Sequence, residues 1–542
     1  MSSVPQVLNE PILTYAPGSP ERAEITQAFA AMRGEQPEIP VVIGGRERTT
    51  GDVREQREPQ RHARACATWS AAGAAETSEA IDAALAARED WSSWPVADRA
   101  AILLRAADLL AGPWRQRVNA ATMIGQGKTV REAEIDAAAE LADFWRFNCY
   151  FAEQIAQSQP ISTPGVHNRM EQRGLEGFVY AVTPFNFTAI GGNLPTAPAL
   201  MGNTVVWKPS ATAMLSNWLV FQILREAGMP DGVINFVPGD PEPISKTCFD
   251  HPEFAGLHFT GSSPVFRSFF REIGERIDGY RGYPRLVGET GGKDFVVMHA
   301  SADPQAVAVA LVRGSFEYQG QKCSAASRAY IPDTLWPEVR DRAIALVGEI
   351  RQGDPSDLST FMGAVIDGRA FARLRDAFAG VEASASAKIV CGGGTDDSVG
   401  WFVEPTIVET SDPHFDTMER ELFGPCLTVY PYAEARYEEA LELCDTTSPY
   451  ALTGSIFARD RGAIALAHEK LRHAAGNFYV NDKPTGSVVG QQPFGGGRAS
   501  GTNDKPGWSN NLARWSSPRA VKETSVSPLA IGYPHMERDV TA

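Results

Sequence analysis

Cys323 lies in the stretch FEYQGQKCSAASR (316–328), after Gly320 and before a run of small residues. A thiol is a useful nucleophile only as thiolate, and that form needs nearby positive charge, backbone N–H groups or a base. Lys322 on one side and Ser324, Ala325 and Ala326 on the other leave such a sulfur approachable and the local backbone free to donate hydrogen bonds. A lone cysteine is more often a small buried hydrophobe than a reagent. Cys66, Cys149, Cys248, Cys391, Cys426 and Cys444 are expected to be of that kind. Cys323 differs in its flanks, which are Gly, Gln, Lys and Ser in place of Val, Leu and Ile.

Several loops hold further reactive or binding side chains. TPFNFT (183–188) presents Asn186, whose amide could donate to a developing oxyanion, a contribution of about 3 kcal/mol in favourable sites; alone it reads equally as a turn residue beside Pro184. GETGGKD (288–294) sets Glu289 among glycines, where burial would raise a carboxylate towards the range of a general base. WKPSAT (207–212) ends on Lys208 and Ser210. HFTGSS (258–263) places Gly261 and Ser262 before a helical pattern, where free N–H groups suit a phosphate. ELFGP (421–425) and the Gly-rich run TGSVVGQQPFGGGRASG (485–501) complete the unusual loops. The nine histidines show no metal-ligand spacing, and only His258 falls in these loops, so no metal site is expected and a Cys–His hydrolase lacks its base. There is no GxGxxG fingerprint.

The elements that must position these loops are legible as alternation. GFVYAVTP, NTVVWKP, GVINFVPG and GLHFTG are short, β-branched and bounded by Gly or Pro, with helical patterns at 213–227 and 264–275 between them. A second series follows: FVVMH, ASRAYI, FVEPTIVE, PCLTVYPY, LTGSIFA and GNFYVN, with helical patterns at 304–316, 336–350, 437–444 and 461–471. Strands alternating with helices predict parallel sheets covered on both faces. The reading is two consecutive doubly wound α/β domains joined near Glu289. Residues 78–157 are helical by spacing, and the Pro-rich first forty residues are expected to form an arm on a neighbouring surface.

With 542 residues the chain exceeds one core. Its net charge of −16 argues against nucleic acid or an anionic membrane surface as partner. Seven cysteines without a CxxC pair indicate neither a disulfide framework nor zinc. With no recognisable leader or membrane-length apolar run, a cytoplasmic location is expected.

Taken in order, TPFNF, WKPS, HFTGS, ETGGKD, GQKCS, EPTIV, ELFGP and FGGGRASG resemble the aldehyde dehydrogenase superfamily, and the match runs through nearly the whole chain. The resemblance implies that family's fold: a Rossmann-like NAD-binding domain (1–160 and 178–290), a catalytic domain (291–490) and a small β extension for oligomerisation (161–177 and 505–528). It implies Cys323 as nucleophile, Asn186 as oxyanion donor and Glu289 as the base that activates water. NAD would be held by Lys208, Ser210, Gly261, Ser262, Glu421, Phe423 and Phe185. Two departures are visible: Ala211 stands where many relatives carry a second ribose-binding Glu, which leaves some use of NADP open, and Phe185 stands where many carry Trp.

The phrases AEIDAAAELADFWRFN, DKPTGSVVGQQPFGGGRASGTNDKPG and SSPRAVKET resemble the branch that oxidises L-glutamate γ-semialdehyde, formed from 1-pyrroline-5-carboxylate, to L-glutamate in proline degradation. That branch implies an aldehyde with an α-amino acid at its far end. Its carboxylate would meet Ser324 and the N–H groups of Gly486 and Ser487, and its linker Phe187 and Phe494. Glu140 and Lys322 would border the same site. The implied partners are the small aldehyde, a second copy of the chain, and a proline dehydrogenase in transient handover. Alternatives on the same residues are a dehydrogenase of another small semialdehyde, a cysteine thioester hydrolase or acyltransferase without nicotinamide, and a noncatalytic scaffold.

Overall fold

Apolar β-branched runs of three to seven residues, too short for helices, build the two sheets that carry the loops. The computed structural model describes residues 7–538. In the first seven-stranded sheet, Arg285–Glu289, Phe254–Thr260, Phe178–Val182, Thr204–Lys208 and Ile234–Phe236 lie side by side and parallel. The hairpin Val41–Ile43 and Arg46–Arg48 closes its far edge antiparallel. Its two-residue turn is Gly44-Gly45, with φ of 54° and 76°; a turn of this hand needs positive φ at both positions. Phe178, Tyr180, Val182 and Val206 point to one face, and Val179, Ala181, Val205 and Trp207 to the other, each face buried in its own apolar cluster.

The second seven-stranded sheet begins four residues on. Its order is Ala387–Cys391, Thr406–Thr410, Cys426–Tyr432, Ala326–Pro332, Asp294–Met298, Thr453–Phe457 and Asn477–Val480. All its pairings are parallel except that of the Ala387–Cys391 edge. The two parallel sheets with helices against them bear out the expected α/β class. The helical patterns observed between strands are Met214–Ala227, Ser263–Glu275, Pro304–Phe316, Trp336–Gly348, Tyr437–Thr446 and Arg461–Lys470.

Five differences from the sequence reading stand out. The region 78–157 is a series of helices that includes a π-helical segment, Glu134–Glu140, where the wider turn lets Glu134 and Asp136 both face the interior. Strands Glu38–Ile39, Val53–Glu58 and Arg61–Ser70 form an unanticipated three-stranded sheet; their charged residues mask the alternation. A helix Gly368–Glu382, capped by Asp367 accepting from Ala370 N at 2.8 Å, was also not anticipated. The first forty residues lie partly outside the described region; residues 7–16 pack on this chain itself, and Ser19 caps a helix Pro20–Glu35. Cys391 is half-exposed, unlike the other five structural cysteines, which are buried as expected.

Segments 161–177 and 505–528 contribute the strands Val166–Arg173 and Ser517–Thr524, which pair antiparallel through eight residue pairs into a two-stranded ribbon. Asn203 ties the tail back to the first sheet, its amide donating to the Pro198 and Trp515 carbonyls at 2.8 Å each.

One buried cation holds the strand that follows Cys323. Arg328 is 1% exposed; it donates to Lys293 O at 2.7 Å and to Cys444 O and Tyr330 Oη at 3.0 Å each. Arg328→Met leaves two buried carbonyls without donors, so a loss of about 2–4 kcal/mol of unfolding free energy is expected in a denaturant titration. A loss below about 0.5 kcal/mol would mean that water replaces the guanidinium there.

Candidate active site

The reactive loop is built on backbone that few residues adopt. Tyr318, Gln319 and Gly320 are consecutive left-handed residues, with φ of 52°, 55° and 64°. At Gly320 a Cβ would come within 2.4 Å of the Gly424 carbonyl, so glycine is required. Hydrogen bonds hold the turn in place. Gln319 donates to the carbonyls of Gly127 (2.9 Å) and Ala364 (2.8 Å) and accepts from Gly363 N (3.0 Å). Gln321 accepts from Ile366 N at 2.8 Å. Such strain persists only where surroundings over-determine it, and it concentrates at functional loops.

Cys323 emerges from this turn half-exposed, opening on a cavity of about 110 Å³. Ser324, Gly486, Ser487, Phe187 and Phe494 line the same cavity, as do Glu289, Glu140 and Lys322. Phe144, on the helix Leu141–Gln157, also faces it. Ser324 Oγ and Thr485 Oγ1 are 2.8 Å apart, so the residue after the cysteine is hydrogen-bonded to the loop that carries Gly486 and Ser487. Gly486 has φ 96°, which a side chain would resist. Asn186 does not line the cavity; it is buried behind the cysteine turn and donates to Gln321 O at 3.1 Å, leaving its second N–H free of that bond.

Burial governs the electrostatics. The Cys323 thiol is pushed well above its ordinary pKa, first by burial and then by Asp294, Glu421 and Glu289. Lys322 supplies no free cation to it, because its ammonium is 2.8 Å from Glu132 and 3.4 Å from Glu317. Lys483 pairs with the same Glu317 at 2.6 Å. Glu289 stands at the end of Arg285–Glu289 and is 7% exposed. Burial raises its pKa well above the carboxylate range, against the Gly496 N–H that it accepts at 3.3 Å. The Gly-rich run is stitched onto this strand end: Thr290 N donates to Ser500 O and Thr502 N to Gly288 O, both at 2.9 Å. At Gly501 (φ 144°) a Cβ would lie 2.4 Å from the Gly288 carbonyl. No histidine lines the cavity. His258 is sealed in its strand with its pKa pushed down to about 4 by burial, so it cannot serve a hydrolase as base.

Of the residues expected at NAD, Phe185, Lys208, Ser210, Gly261 and Ser262 lie at or just beyond the carboxyl ends of parallel strands of the first sheet, where such sheets bind ligands, and Glu421 and Phe423 lie just before the second-sheet strand Cys426–Tyr432. Lys208 ends Thr204–Lys208, with burial pushing its amine down to about 8. Ser210 lies just beyond. Gly261 and Ser262 follow Phe254–Thr260; Ser262 stands at the N-cap of Ser263–Glu275 without capping it, so the first N–H groups of that helix face outward. Glu421 accepts from Gly292 N at 2.9 Å and is pushed up to about 7 by burial. It packs so closely that a Cβ at Gly291 would lie 2.0 Å from its carboxylate. Phe423 (φ 52°) meets Phe185 edge-on, ring centroids 5.7 Å apart. An uncapped helix start and a buried amine at the end of the first sheet, with a buried carboxyl from a loop of the second, suit the pyrophosphate and ribose hydroxyls of a dinucleotide.

Sequence reasoning missed the ion pairs that surround the cavity: Glu132, Glu317 and Lys483, and behind them Lys128 with Asp136. Lys128 Nζ is 2.7 Å from Asp136, and both side chains are at most 1% exposed. Asp136 also accepts from Thr188 N (2.9 Å) and Ala189 N (2.8 Å), anchoring the helix that follows Asn186 and Phe187. The Lys128 ammonium lies 3.9 Å from the Phe187 ring centroid and 4.4 Å from that of Tyr318, so one cation braces both loops. Lys322 and Glu132, and Lys483 and Glu317, are far apart in sequence, and none of these pairs carries a local pattern.

A model of the aldehyde dehydrogenase family matches residues 47–521. Delta-1-pyrroline-5-carboxylate dehydrogenase of Bos taurus, a mitochondrial protein, is 52% identical over 98% of this chain and 95% of its own length. The solved structure of the delta-pyrroline-5-carboxylate dehydrogenase from Mycobacterium tuberculosis bound with NAD superposes with a TM-score of 0.96 at 52% identity, covering 99% of both chains. A proline utilization A structure from Bdellovibrio bacteriovorus superposes at 0.91 and 28% identity, the match covering 97% of this chain and 54% of that one. The expected cytoplasmic location is overturned here, because relatives at 50 to 52% identity are named as mitochondrial. No helix among the described residues is long and apolar enough to cross a membrane.

Lys128→Met strands a buried carboxylate and is expected to cost about 3 kcal/mol of unfolding free energy. The double variant Lys128→Met/Asp136→Asn should recover part of that loss. Equal losses in the two variants would place the cost in packing and not in the uncompensated charge.

Proposed function

We propose that this chain, which belongs to the aldehyde dehydrogenase family, oxidises L-glutamate γ-semialdehyde to L-glutamate with NAD, the second oxidation of proline degradation. The observation that carries the reading is whole-chain identity of 52% to delta-1-pyrroline-5-carboxylate dehydrogenases, joined to a cavity that holds a cysteine, a buried glutamate and a serine–glycine loop together. The cofactor is NAD, as in the mycobacterial neighbour.

In the proposed mechanism the Cys323 thiol passes its proton to water and the resulting thiolate sulfur adds to the aldehyde carbon. Asn186, through its remaining N–H, and the Cys323 backbone N–H hold the oxyanion that forms. NAD held by the residues named below would supply the acceptor for the hydride that leaves this carbon, so that a thioester remains on Cys323. Glu289 takes a proton from water, whose oxygen attacks the thioester carbonyl; the C–S bond breaks and the acid departs. Ser324 and the N–H groups of Gly486 and Ser487 receive the α-carboxylate, because close approach of backbone to an anion favours glycine. Phe187 and Phe494 flank the aliphatic linker. Lys208 and Glu421 take the two riboses, Ser210 supports the first of these, Gly261 and Ser262 the pyrophosphate, and Phe185 with Phe423 border the nicotinamide. In domain terms, 1–160 with 178–290 bind NAD and 291–490 carry the nucleophile.

The ribbon of Val166–Arg173 and Ser517–Thr524 is the proposed oligomer contact. The outer edge of Val166–Arg173 is bonded by Gln159, Ser162 and Thr163 of the same chain, whereas Ser517–Thr524 joins no further strand among the described residues, and the adjoining Val526, Leu529 and Ile531 are exposed apolar residues. Handover from a proline-oxidising enzyme is the further partner proposed, in line with the likeness to a proline utilization A protein.

Cys323→Ala is expected to reduce pyrroline-5-carboxylate oxidation at least ~10³-fold while NAD still binds, followed by NADH absorbance and nucleotide fluorescence. Turnover within tenfold of the parent would remove the nucleophile assignment. Glu289→Gln should retain a burst of about one NADH per site and then slow by about 10²-fold or more at thioester release. Loss of the burst together with the steady state would point to another base.

A further inference from the structure

The loop 485–492 presents Gly486 and Ser487 to the cavity, yet among the described residues it joins no sheet. Its internal bonds form one turn: Gln491 N and Gln492 N donate to Val488 O at 3.0 Å each, and Val488 N donates to Gln492 Oε1 at 3.1 Å. Its inner end is held by Thr485 on Ser324. Its outer end is held from the far end of the chain. The Asn9 amide donates to Val489 O at 2.8 Å and to Asp143 Oδ2 at 2.7 Å, and the Asn9 oxygen accepts from Gln491 Nε2 at 2.9 Å. One half-buried side chain therefore makes hydrogen bonds to two points on the loop and one on the helix Leu141–Gln157. That helix carries the cavity residue Phe144, and Glu140 immediately precedes it.

Asn9 is itself firmly placed. Glu10 N donates to the other Asp143 oxygen at 2.7 Å, and the Glu10 carboxylate pairs with Arg115 and Arg146 at 2.6 Å each. Arg115 also donates to Pro11 O at 2.6 Å. Leu13 N (2.8 Å) and Tyr15 Oη (2.7 Å) donate to Glu134, which is fully buried. The loop presses on the same helix, since a Cβ at Gly490 would come within 2.2 Å of the Phe147 ring.

We propose that residues 7–15 are a strap and that Asn9 is a positioning residue for substrate specificity, holding the Gly486–Ser487 N–H groups in register for the carboxylate end of the aldehyde. The inference rests on the carboxylate role given to that loop under the proposed function. An anion held by backbone N–H groups needs them aligned before it arrives, because ordering a loose loop during binding subtracts from affinity. Asn9 touches neither the cysteine nor the aldehyde carbon, so its effect falls on binding of the charged end and not on the chemical step.

The test compares pyrroline-5-carboxylate with propanal, which lacks the carboxylate, on full-length Asn9→Ala, Gln491→Ala and Ser324→Ala. Asn9→Ala is expected to raise the KM for pyrroline-5-carboxylate about tenfold, to keep its kcat within about twofold, and to leave kcat/KM for propanal within about twofold. Gln491→Ala reads the same tie from the loop side, with a rise of about threefold, and serves if Asn9→Ala does not fold. A retained thermal midpoint together with this split supports the strap, since general destabilisation would lower activity on both aldehydes. Equal losses on both substrates, or no change on either, overturn it. If Ser324→Ala separates the two aldehydes and the Asn9 and Gln491 variants do not, the strap falls and the carboxylate reading stands. If Ser324→Ala also fails to separate them, the carboxylate reading falls and takes the strap with it.

Discussion

A sulfur enclosed with three carboxyl groups is the constraint on which the rest of this structure turns. Asp294, Glu421 and Glu289 each raise the Cys323 pKa, and burial raises all four groups together. Like charges in a medium of low polarity cannot all ionise. Burial favours the uncharged form of each group, opposed by Lys505 at Glu289, Lys293 at Glu421 and Arg328 at Asp294. Lys322 and Lys483 are tied to Glu132 and Glu317, and Lys128 to Asp136. These pairs brace the walls of the cavity and add little net field at the sulfur. Removing one member would leave a buried charge, so their presence is structural even where they border the substrate.

Bringing so many carboxyls so close requires backbone without side chains. Gly291 gives Glu421 its position, and Gly292 supplies the N–H that the Glu421 carboxylate accepts. Gly501 lets the tail of the Gly-rich run lie against Gly288 and Glu289. Gly320 permits the turn from which Cys323 emerges. Each of these glycines is at a strand end or in a loop between strands, so the sheets fix the loops and the glycines let the loops converge. The specificity of the site therefore depends on parallel strands ending at one edge as much as on any reacting atom.

The sheets were legible because β-branched runs such as FVYAV and TVVWK are apolar on both faces and bounded by turn formers. The conspicuous loops were legible for the opposite reason: Gly, Asn and Glu in ETGGKD are the wrong residues for a core. The strands Val53–Glu58 and Arg61–Ser70 escaped because arginine and glutamate on their exposed faces hide the period of two. The ion pairs escaped because Lys322 and Glu132, or Lys483 and Glu317, are separated by more than 150 residues and only folding brings them together. The N-terminal segment read only as an arm on a neighbouring surface for the same cause. Asn9 and Glu10 look like ordinary polar residues until Asp143, Arg115 and Arg146 are placed against them. Cellular location was not legible at all, since it is an address read by other machinery and leaves no mark on packing.

The charge constraint also orders the proposed steps in time. Two coupled acids in one enclosure titrate as a pair, so ionising one makes ionising the other harder. While Cys323 must become thiolate, Glu289 is best left protonated or turned away. Its bond to Gly496 N–H is long, at 3.3 Å, and holds the ionised form only weakly. Once sulfur is acylated it can no longer bring a charge into the enclosure that holds Glu289. The carboxyl can then ionise and take a proton from water. A histidine base would not be governed in this way, because its neutral form is the basic one and a nearby thiolate would favour the imidazolium. A glutamate that becomes basic only after the sulfur is capped protects the free aldehyde stage and activates water at the thioester stage. The same burial that raises the thiol pKa raises that of Glu289, so one constraint bears on both proposed half-reactions.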